Sequence, residues 1–278
     1  MVNRLDPGEQ RARRVERSDR LDDEGPLEEL LSQLLRNPPS GYRPAGSPTA
    51  GAAALHTDVA WRAMLRSGQF WLLWIMYFFG AGVGLMLIGT ATKLGKAALG
   101  EASAFWLVVV LAVGNAGGRV VAGVISDRIG RQRTLLIAFV CQTAVVLSLV
   151  FVQRQVALLL PVVLLAGANY GANLALFPAA SKDYFGLKSF GLNYGILFTA
   201  WGLGGFVFSY LNGLLVDGLK LVDPLTKAVD DRPGLTVSLY LAAGLLVLSA
   251  ILTFVSSAVD RRERTATRHA PEAAEQRA

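Results

Sequence analysis

The chain has 278 residues, of which 53% are hydrophobic and only 17% charged, and its mean hydropathy is +0.42. This composition is too apolar for a soluble protein of this size and indicates a membrane protein. The single cysteine, Cys141, excludes an internal disulfide, and the two histidines, His56 and His269, lie outside the apolar part of the chain and exclude a zinc cluster there.

Residues 1–66 are polar, and we expect them to form a cytoplasmic and mostly disordered segment that ends in a linker. They lack the apolar stretch near the start that a secretory signal needs. Arginines and acidic residues balance one another in the first part, and residues 37–54 are rich in Pro, Gly, Ser and Ala. Few large apolar side chains are present to form a core. The exception is the leucine-rich stretch 27–35, which can form a helix on the membrane surface.

Six apolar runs follow, and each can cross a hydrocarbon core about 30 Å thick, which needs roughly 20 helical residues. Most runs are apolar on every side, which is typical of helices in lipid. The sequence therefore predicts an all-α membrane protein with six transmembrane helices within 67–260 and a cytoplasmic tail at 261–278. The predicted spans are 70–92, 103–126, 134–153, 156–181, 189–216 and 235–259.

The lysines and arginines near the span ends predict the orientation, because these side chains resist translocation. Eleven of them lie on the side of the chain termini and six on the opposite side. Both termini are therefore expected in the cytoplasm of a multi-pass protein of the cell membrane. This asymmetry accounts for most of the net charge of +6, so the charge gives no indication of a nucleic-acid partner.

The loop between the second and third spans has the order Gly-x-x-x-Asp-Arg-x-Gly-Arg. Gly123 would let a neighbouring helix approach, Gly130 permits a tight turn, and Asp127 can accept hydrogen bonds from the amides at a helix N-terminus. Arg128 and Arg131 add positive charge. A basic loop is ordinary on the cytoplasmic side, but that explains the arginines and not the order. We therefore predict a conformational latch that holds two helix bundles together in one state.

This motif resembles the signature of the major facilitator superfamily of secondary transporters. Other segments resemble the oxalate/formate antiporter branch of that family, including its central cytoplasmic linker. The resemblance covers about residues 33–260 and implies only the second of the family's two six-span halves. A split-gene product, a truncated remnant and a wrongly assigned start or frameshifted reading frame are all compatible with it. The resembling segments are 37–44, 70–86, 115–119, 184–195 and 198–202.

Arg119 is the only formal charge inside a predicted span, about 12 Å from the cytoplasmic loop at 1.5 Å per residue. A central arginine costs roughly 2.5–3.5 kcal/mol, so it normally faces a partner or a water-filled cavity. No acidic residue lies in a predicted span, which makes an anionic substrate the natural counter-charge. The resemblance implies the same, because the family's arginine at this position is associated with carboxylate binding. The alternatives are snorkelling toward headgroups and pairing with another half.

The resemblance also implies a substrate class. Oxalate-type members pair this arginine with a lysine, and the matching position here is Trp201. Without a second cation, a monocarboxylate such as formate, lactate or pyruvate is expected; the alternative is that a missing half supplies another base. Tyr170, Asn173 and Tyr194 are further candidates for the cavity, with interhelical hydrogen bonds and packing as the alternative. Three aromatic side chains near the start of the first span are better explained as an interfacial belt: Trp71, Trp74 and Tyr77.

The predicted function is alternating-access transport of a small organic anion, bound between two six-helix bundles. The predicted partners are that anion, the lipid bilayer, and a second half supplied by a missing N-terminal half or by a second copy. The chain has no nucleotide-binding or hydrolytic motif, so we predict no enzyme activity, cofactor or metal. The alternative is a truncated or non-transporting six-helix membrane module with a structural or regulatory role.

Overall fold

The computed structural model describes residues 58–100, 104–152, 155–222, 229–230 and 232–275. A short helix precedes six long helices, and two short antiparallel strands, β1 (Leu221–Val222) and β2 (Val229–Asp230), lie between the last two. The helices are α1 (Trp61–Met64), α2 (Gly68–Leu99), α3 (Ala104–Ile129), α4 (Arg131–Val152), α5 (Val156–Phe185), α6 (Phe190–Gly218) and α7 (Arg232–Glu275).

Helices α2 to α7 are each long and apolar enough to cross a membrane, which confirms the predicted all-α fold with six transmembrane helices. Several helices continue beyond the predicted spans, among them α2, which ends at Leu99. Helix α5 passes through Pro178 and ends at Phe185, because a proline removes one backbone hydrogen bond but does not always end a helix. Helix α7 continues to Glu275. The predicted disordered segment, surface helix and linker lie outside the described residues.

The most extensive helix contact joins α3 to α5, and four glycines make it possible. A Cβ atom added at Gly118 would lie 2.0 Å from the backbone oxygen of Ala168. Only glycine leaves room for two helix backbones at this distance. The same holds at three other glycines. The distance from an added Cβ atom to the nearest backbone oxygen would be 2.1 Å for Gly114 and Leu164, 2.2 Å for Gly167 and Leu111, and 2.1 Å for Gly171 and Asn115.

Helices α2 and α6 form the next most extensive contact, and it is also lined by glycine. A Cβ atom added at Gly204 would lie 2.3 Å from the backbone oxygen of Phe78, and one at Gly82 would lie 2.8 Å from that of Gly204. If the six helices are two three-helix repeats, as in many transporters, α2 with α6 is the counterpart of α5 with α3. Both equivalent contacts therefore depend on close backbone approach.

Hydrogen bonds tie the chain that enters α2 to the α5–α6 turn. Asp58 Oδ1 accepts hydrogen bonds from the backbone N–H groups of Leu187 (3.1 Å) and Lys188 (3.0 Å). The N–H of Val59 donates to the oxygen of Phe185 at 3.0 Å. The α3–α4 turn, with the predicted latch motif, lies at the same end of the bundle, where Arg131 on α4 contacts α5. We call this end the latch end.

We expect Gly171→Ala to lower the free energy of unfolding by about 1–3 kcal/mol, as overpacking of a tight interior does. The added methyl group would overlap the backbone oxygen of Asn115, and neither helix backbone can move aside without breaking the neighbouring contacts. Thermal unfolding of the purified protein in detergent measures the effect. Gly117→Ala is the matched control, because its Cβ would meet no atom within 4 Å. Equal stability of the two variants would contradict the observed contact.

Candidate functional site

Arg119 lies on an exposed face of α3, ten residues before the helix ends at Ile129. Its Nε–H group donates a hydrogen bond to Asn115 Oδ1, one turn earlier, at 3.0 Å. Within the described parts of the chain, no carboxylate lies within ion-pair distance of its guanidinium. The positive charge on this face is therefore not compensated by these residues.

Side chains from three other helices share this region with Arg119. The hydroxyl groups of Tyr77, Tyr170 and Tyr194 lie within electrostatic range of its guanidinium. The indole Nε1–H of Trp201 donates to the hydroxyl oxygen of Tyr170 at 3.0 Å, and the hydroxyl oxygens of Tyr77 and Tyr194 lie 3.5 Å apart. Helices α2, α3, α5 and α6 thus each contribute to one group of five residues, which we call the arginine–tyrosine cluster.

Packed rings hold the side chains of this cluster in place. The ring of Tyr77 stacks on that of Phe177 with centroids 4.1 Å apart, and the ring of Trp201 stacks on that of Phe198 at 4.9 Å. Aromatic pairs at these distances add stabilisation beyond their buried area. Tyr170 lies directly against α2, because a Cβ atom added at Gly84 would be 2.4 Å from its ring. The hydroxyl and indole groups near Arg119 therefore have fixed positions.

The assignment of Tyr77 to an interfacial belt is wrong. Its side chain is fully buried, with 0% of its surface exposed, whereas Trp71 is 49% exposed, as a belt residue would be. The Nε1–H of Trp74 donates to Thr199 Oγ1 on α6 at 3.1 Å, so this side chain also faces a helix. One signal was available in the sequence. Tyr77 precedes Gly84 by seven residues, which places both on one face of α2.

The structure does not bring Asn173 into the arginine–tyrosine cluster. Its side chain is fully buried and its Nδ2 group donates to Gln142 Oε1 at 3.2 Å and to the backbone oxygen of Asn169 at 3.0 Å. Gln142 Nε2 in turn donates to the backbone oxygen of Gly80 at 3.1 Å. These bonds link α2, α4 and α5, which is the interhelical role expected as the alternative. The other four predicted binding residues, Arg119, Tyr170, Tyr194 and Trp201, lie together.

The latch motif is organised around the guanidinium of Arg131. Its Nη1 lies 2.7 Å from Asp127 Oδ1 and 2.7 Å from Ser126 Oγ, and its Nε lies 2.9 Å from Asp183 Oδ2. Asp127 is thus bound by an arginine and not, in the described residues, by the helix amides that we expected. Sequence reasoning missed Asp183, although it is the only acidic residue between the fourth and fifth spans. Arg128 is exposed. The guanidinium of Arg131 joins α3, α4 and α5.

The two glycines of the latch motif differ in their surroundings. Gly130 has a φ of +92°, a conformation that glycine adopts without strain, so it forms the predicted turn. A Cβ atom added at Gly123 would meet no atom of the described residues within 4 Å. The close helix approach that we predicted there is therefore not made by this part of the chain.

Comparison with known proteins gives the family of the chain. A sequence model of the Major Facilitator Superfamily matches residues 30–209 and 97–277. The chain is 30% identical over 142 residues to the uncharacterized MFS-type transporter YhjX of Escherichia coli (strain K12), covering 50% of the chain and 35% of that protein. It is 34% identical over 146 residues to the oxalate:formate antiporter of Oxalobacter formigenes, covering 49% and 33%. The matches thus span about a third of the length of each relative.

We expect Gly130→Ala to lower the free energy of unfolding by roughly 1–2 kcal/mol, because a side chain at positive φ is strained. Gly123→Ala in the same motif is the matched control and should leave stability unchanged or slightly raised, since alanine favours helix. Thermal unfolding in detergent compares the two. A larger loss for Gly123→Ala than for Gly130→Ala would show that our description of the turn is incorrect.

Proposed function

The chain belongs to the major facilitator superfamily, and on this basis we propose that it is one six-helix half of a secondary transporter for small organic anions. In the proposed cycle, an anion binds near the centre of the membrane between two six-helix bundles, which rock about it and expose it to one side at a time. Ion or substrate gradients drive this cycle.

The observation that carries this proposal is the arginine–tyrosine cluster. It combines one guanidinium with tyrosine hydroxyls and an indole N–H, and the described residues near it contribute no carboxylate. Hydrocarbon is a costly environment for an unpaired arginine at this depth. The exposed face of α3 that holds Arg119 is therefore better suited to a water-filled cavity between two halves than to lipid. An organic anion is the ligand that this set of groups binds best.

The charge of the cluster supports a monocarboxylate as the substrate. The relative from Oxalobacter formigenes is by name an antiporter of the dianion oxalate and the monoanion formate. Here the position expected to hold a second cation is Trp201, whose indole hydrogen bonds to the hydroxyl of Tyr170. A dianion would keep one charge uncompensated in a low-dielectric site, which is unfavourable. Formate, lactate and pyruvate carry the single negative charge that Arg119 can balance.

Binding of the anion also supplies a reason for the bundles to reorient. An unpaired guanidinium resists passage through the closed, water-poor intermediate, and a bound carboxylate removes that penalty. At the latch end, the ion pairs of Arg131 with Asp127 and Asp183 hold α3, α4 and α5 together. We propose that the latch motif stabilises one of the two end states by docking against the second half, which is either another six-helix half or a second copy.

Transport measurements in vesicles test this proposal, using cells that natively express the chain so that any second half is present. We expect wild-type vesicles preloaded with formate to take up labelled formate and lactate in preference to oxalate. Arg119→Ala should reduce uptake at least tenfold, because the loss of one charged hydrogen-bond partner weakens binding by about that factor. Arg133→Ala, which removes an exposed arginine outside the cluster, is the matched control and should retain uptake.

The substrate class is tested in the same vesicles with Trp201→Lys. A second cation beside Arg119 should shift the preference toward oxalate by about tenfold or more, whereas Trp201→Phe, which adds no charge, should not. Oxalate preferred by the wild type would contradict the monocarboxylate assignment. Uptake that does not depend on Arg119 would remove Arg119 from the mechanism, whereas no uptake of any carboxylate by the wild type would favour the alternative of a non-transporting membrane module.

We further propose that both termini lie in the cytoplasm, because Lys and Arg are more frequent at the latch end of the spans. A fluorescent protein that matures only in the cytoplasm, fused after Ala278, is expected to fluoresce. An alkaline phosphatase fused at the same position, which is active only outside the cytoplasm, is expected to be inactive. The opposite pair of results would reverse the orientation.

A further inference from the structure

A neutral group, the side-chain amide of Asn115, occupies one edge of the Arg119 guanidinium. Asn115 Oδ1 accepts from the Nε–H group of Arg119 at 3.0 Å. Among the described residues, the two terminal NH₂ groups of Arg119 have no hydrogen-bond partner. A guanidinium has five N–H donors in a fixed plane, so fixing Nε orients all of them.

The backbone around Asn115 is itself held in place by the contact between α3 and α5. A Cβ atom added at Gly171 would lie only 2.1 Å from the backbone oxygen of Asn115, and one added at Gly118 would lie 2.0 Å from the backbone oxygen of Ala168. Asn115 and Arg119 therefore project from a segment of α3 that cannot shift against α5. The tyrosine that precedes Gly171 is a member of the arginine–tyrosine cluster.

We propose that Asn115 is a positioning residue that aims Arg119 at the substrate without consuming its charge. The amide oxygen holds the Nε–H group, so that the edge formed by Nη1 and Nη2 is the one left for a carboxylate. That edge can bind both oxygens of a single carboxylate in a bidentate arrangement. Because asparagine is neutral, the full positive charge stays available to the anion. This inference rests on the proposed function and adds a residue that selects for one carboxylate group.

An acidic side chain at position 115 would serve equally well for holding the arginine but not for binding an anion. Aspartate has the same shape as asparagine and would also accept from Nε–H. Its negative charge, however, would compensate Arg119 and repel the substrate. At the short distance involved, this repulsion should weaken substrate binding by about two powers of ten or more. The two roles, holding the side chain and preserving its charge, are thus separable by substitution.

The experiment compares Asn115→Asp with Asn115→Leu in the vesicle assay described above, and measures KM and the maximal uptake rate for labelled formate. Leucine matches the size of asparagine but makes no hydrogen bond, and we expect it to raise KM about tenfold. Aspartate keeps the hydrogen bond, yet we expect it to raise KM about 100-fold or more, approaching the effect of Arg119→Ala. The maximal rate per folded carrier should change less than KM in both variants.

The order of the two variants distinguishes positioning from a structural role. If Asn115 served only to hold α3 in shape, aspartate would be tolerated better than leucine. A misfolded fraction would lower the maximal rate through the number of carriers and leave KM unchanged, so partial loss of folding does not imitate the expected result. Unchanged KM in both variants, or a smaller effect of aspartate than of leucine, would overturn the inference. The proposed function would stand in that case if Arg119→Ala still reduced uptake at least tenfold. Failure of the wild type to transport any carboxylate would instead overturn the proposed function and the inference together.

Discussion

The close contact between the backbones of α3 and α5 is the constraint on which the candidate site depends. Arg119 follows Gly118 directly, and Tyr170 precedes Gly171, so the helix contact and the arginine–tyrosine cluster share one stretch of each helix. Any side chain at these two glycines would separate the helices and change the position of the guanidinium relative to the hydroxyl of Tyr170. The glycines therefore determine the geometry of the site although they offer no functional group to a substrate.

The second determinant of the site is that its polar groups carry a single formal charge. Apart from Arg119, the cluster consists of tyrosine hydroxyls and one indole, which can orient a ligand through hydrogen bonds but cannot balance a second negative charge. Selectivity in such a site comes from the cost of leaving a ligand charge uncompensated more than from added attraction. The amide of Asn115 is consistent with this, because it accepts a hydrogen bond from the guanidinium and, being neutral, does not compensate its charge.

The sequence was sufficient to predict those structural features that only a few residue types can form. Long uncharged runs predict spanning helices, and the positive φ at Gly130 follows from the turn that its motif requires. The rotation of each helix was not readable, because helices that are apolar on all sides have no periodicity to indicate which face is inward. For this reason Tyr77 was assigned to the membrane interface and Asn173 to the cavity. The partner of Asp127 was missed because a carboxylate accepts from a guanidinium as readily as from helix amides.

The site and the latch share two helices, α3 and α5, and this limits how they can communicate. Asp127 follows Arg119 on α3 by about 12 Å, and Asp183 follows Tyr170 on α5 by about 20 Å, at 1.5 Å per residue. Because the glycine contact prevents α3 from sliding along α5, the two helices move as one body. The latch arginine, Arg131, belongs to α4 and bridges to both of them. A change at the cluster that moves either α3 or α5 therefore displaces the joined pair as a whole, which is the kind of rigid-body movement that the proposed alternating access would use.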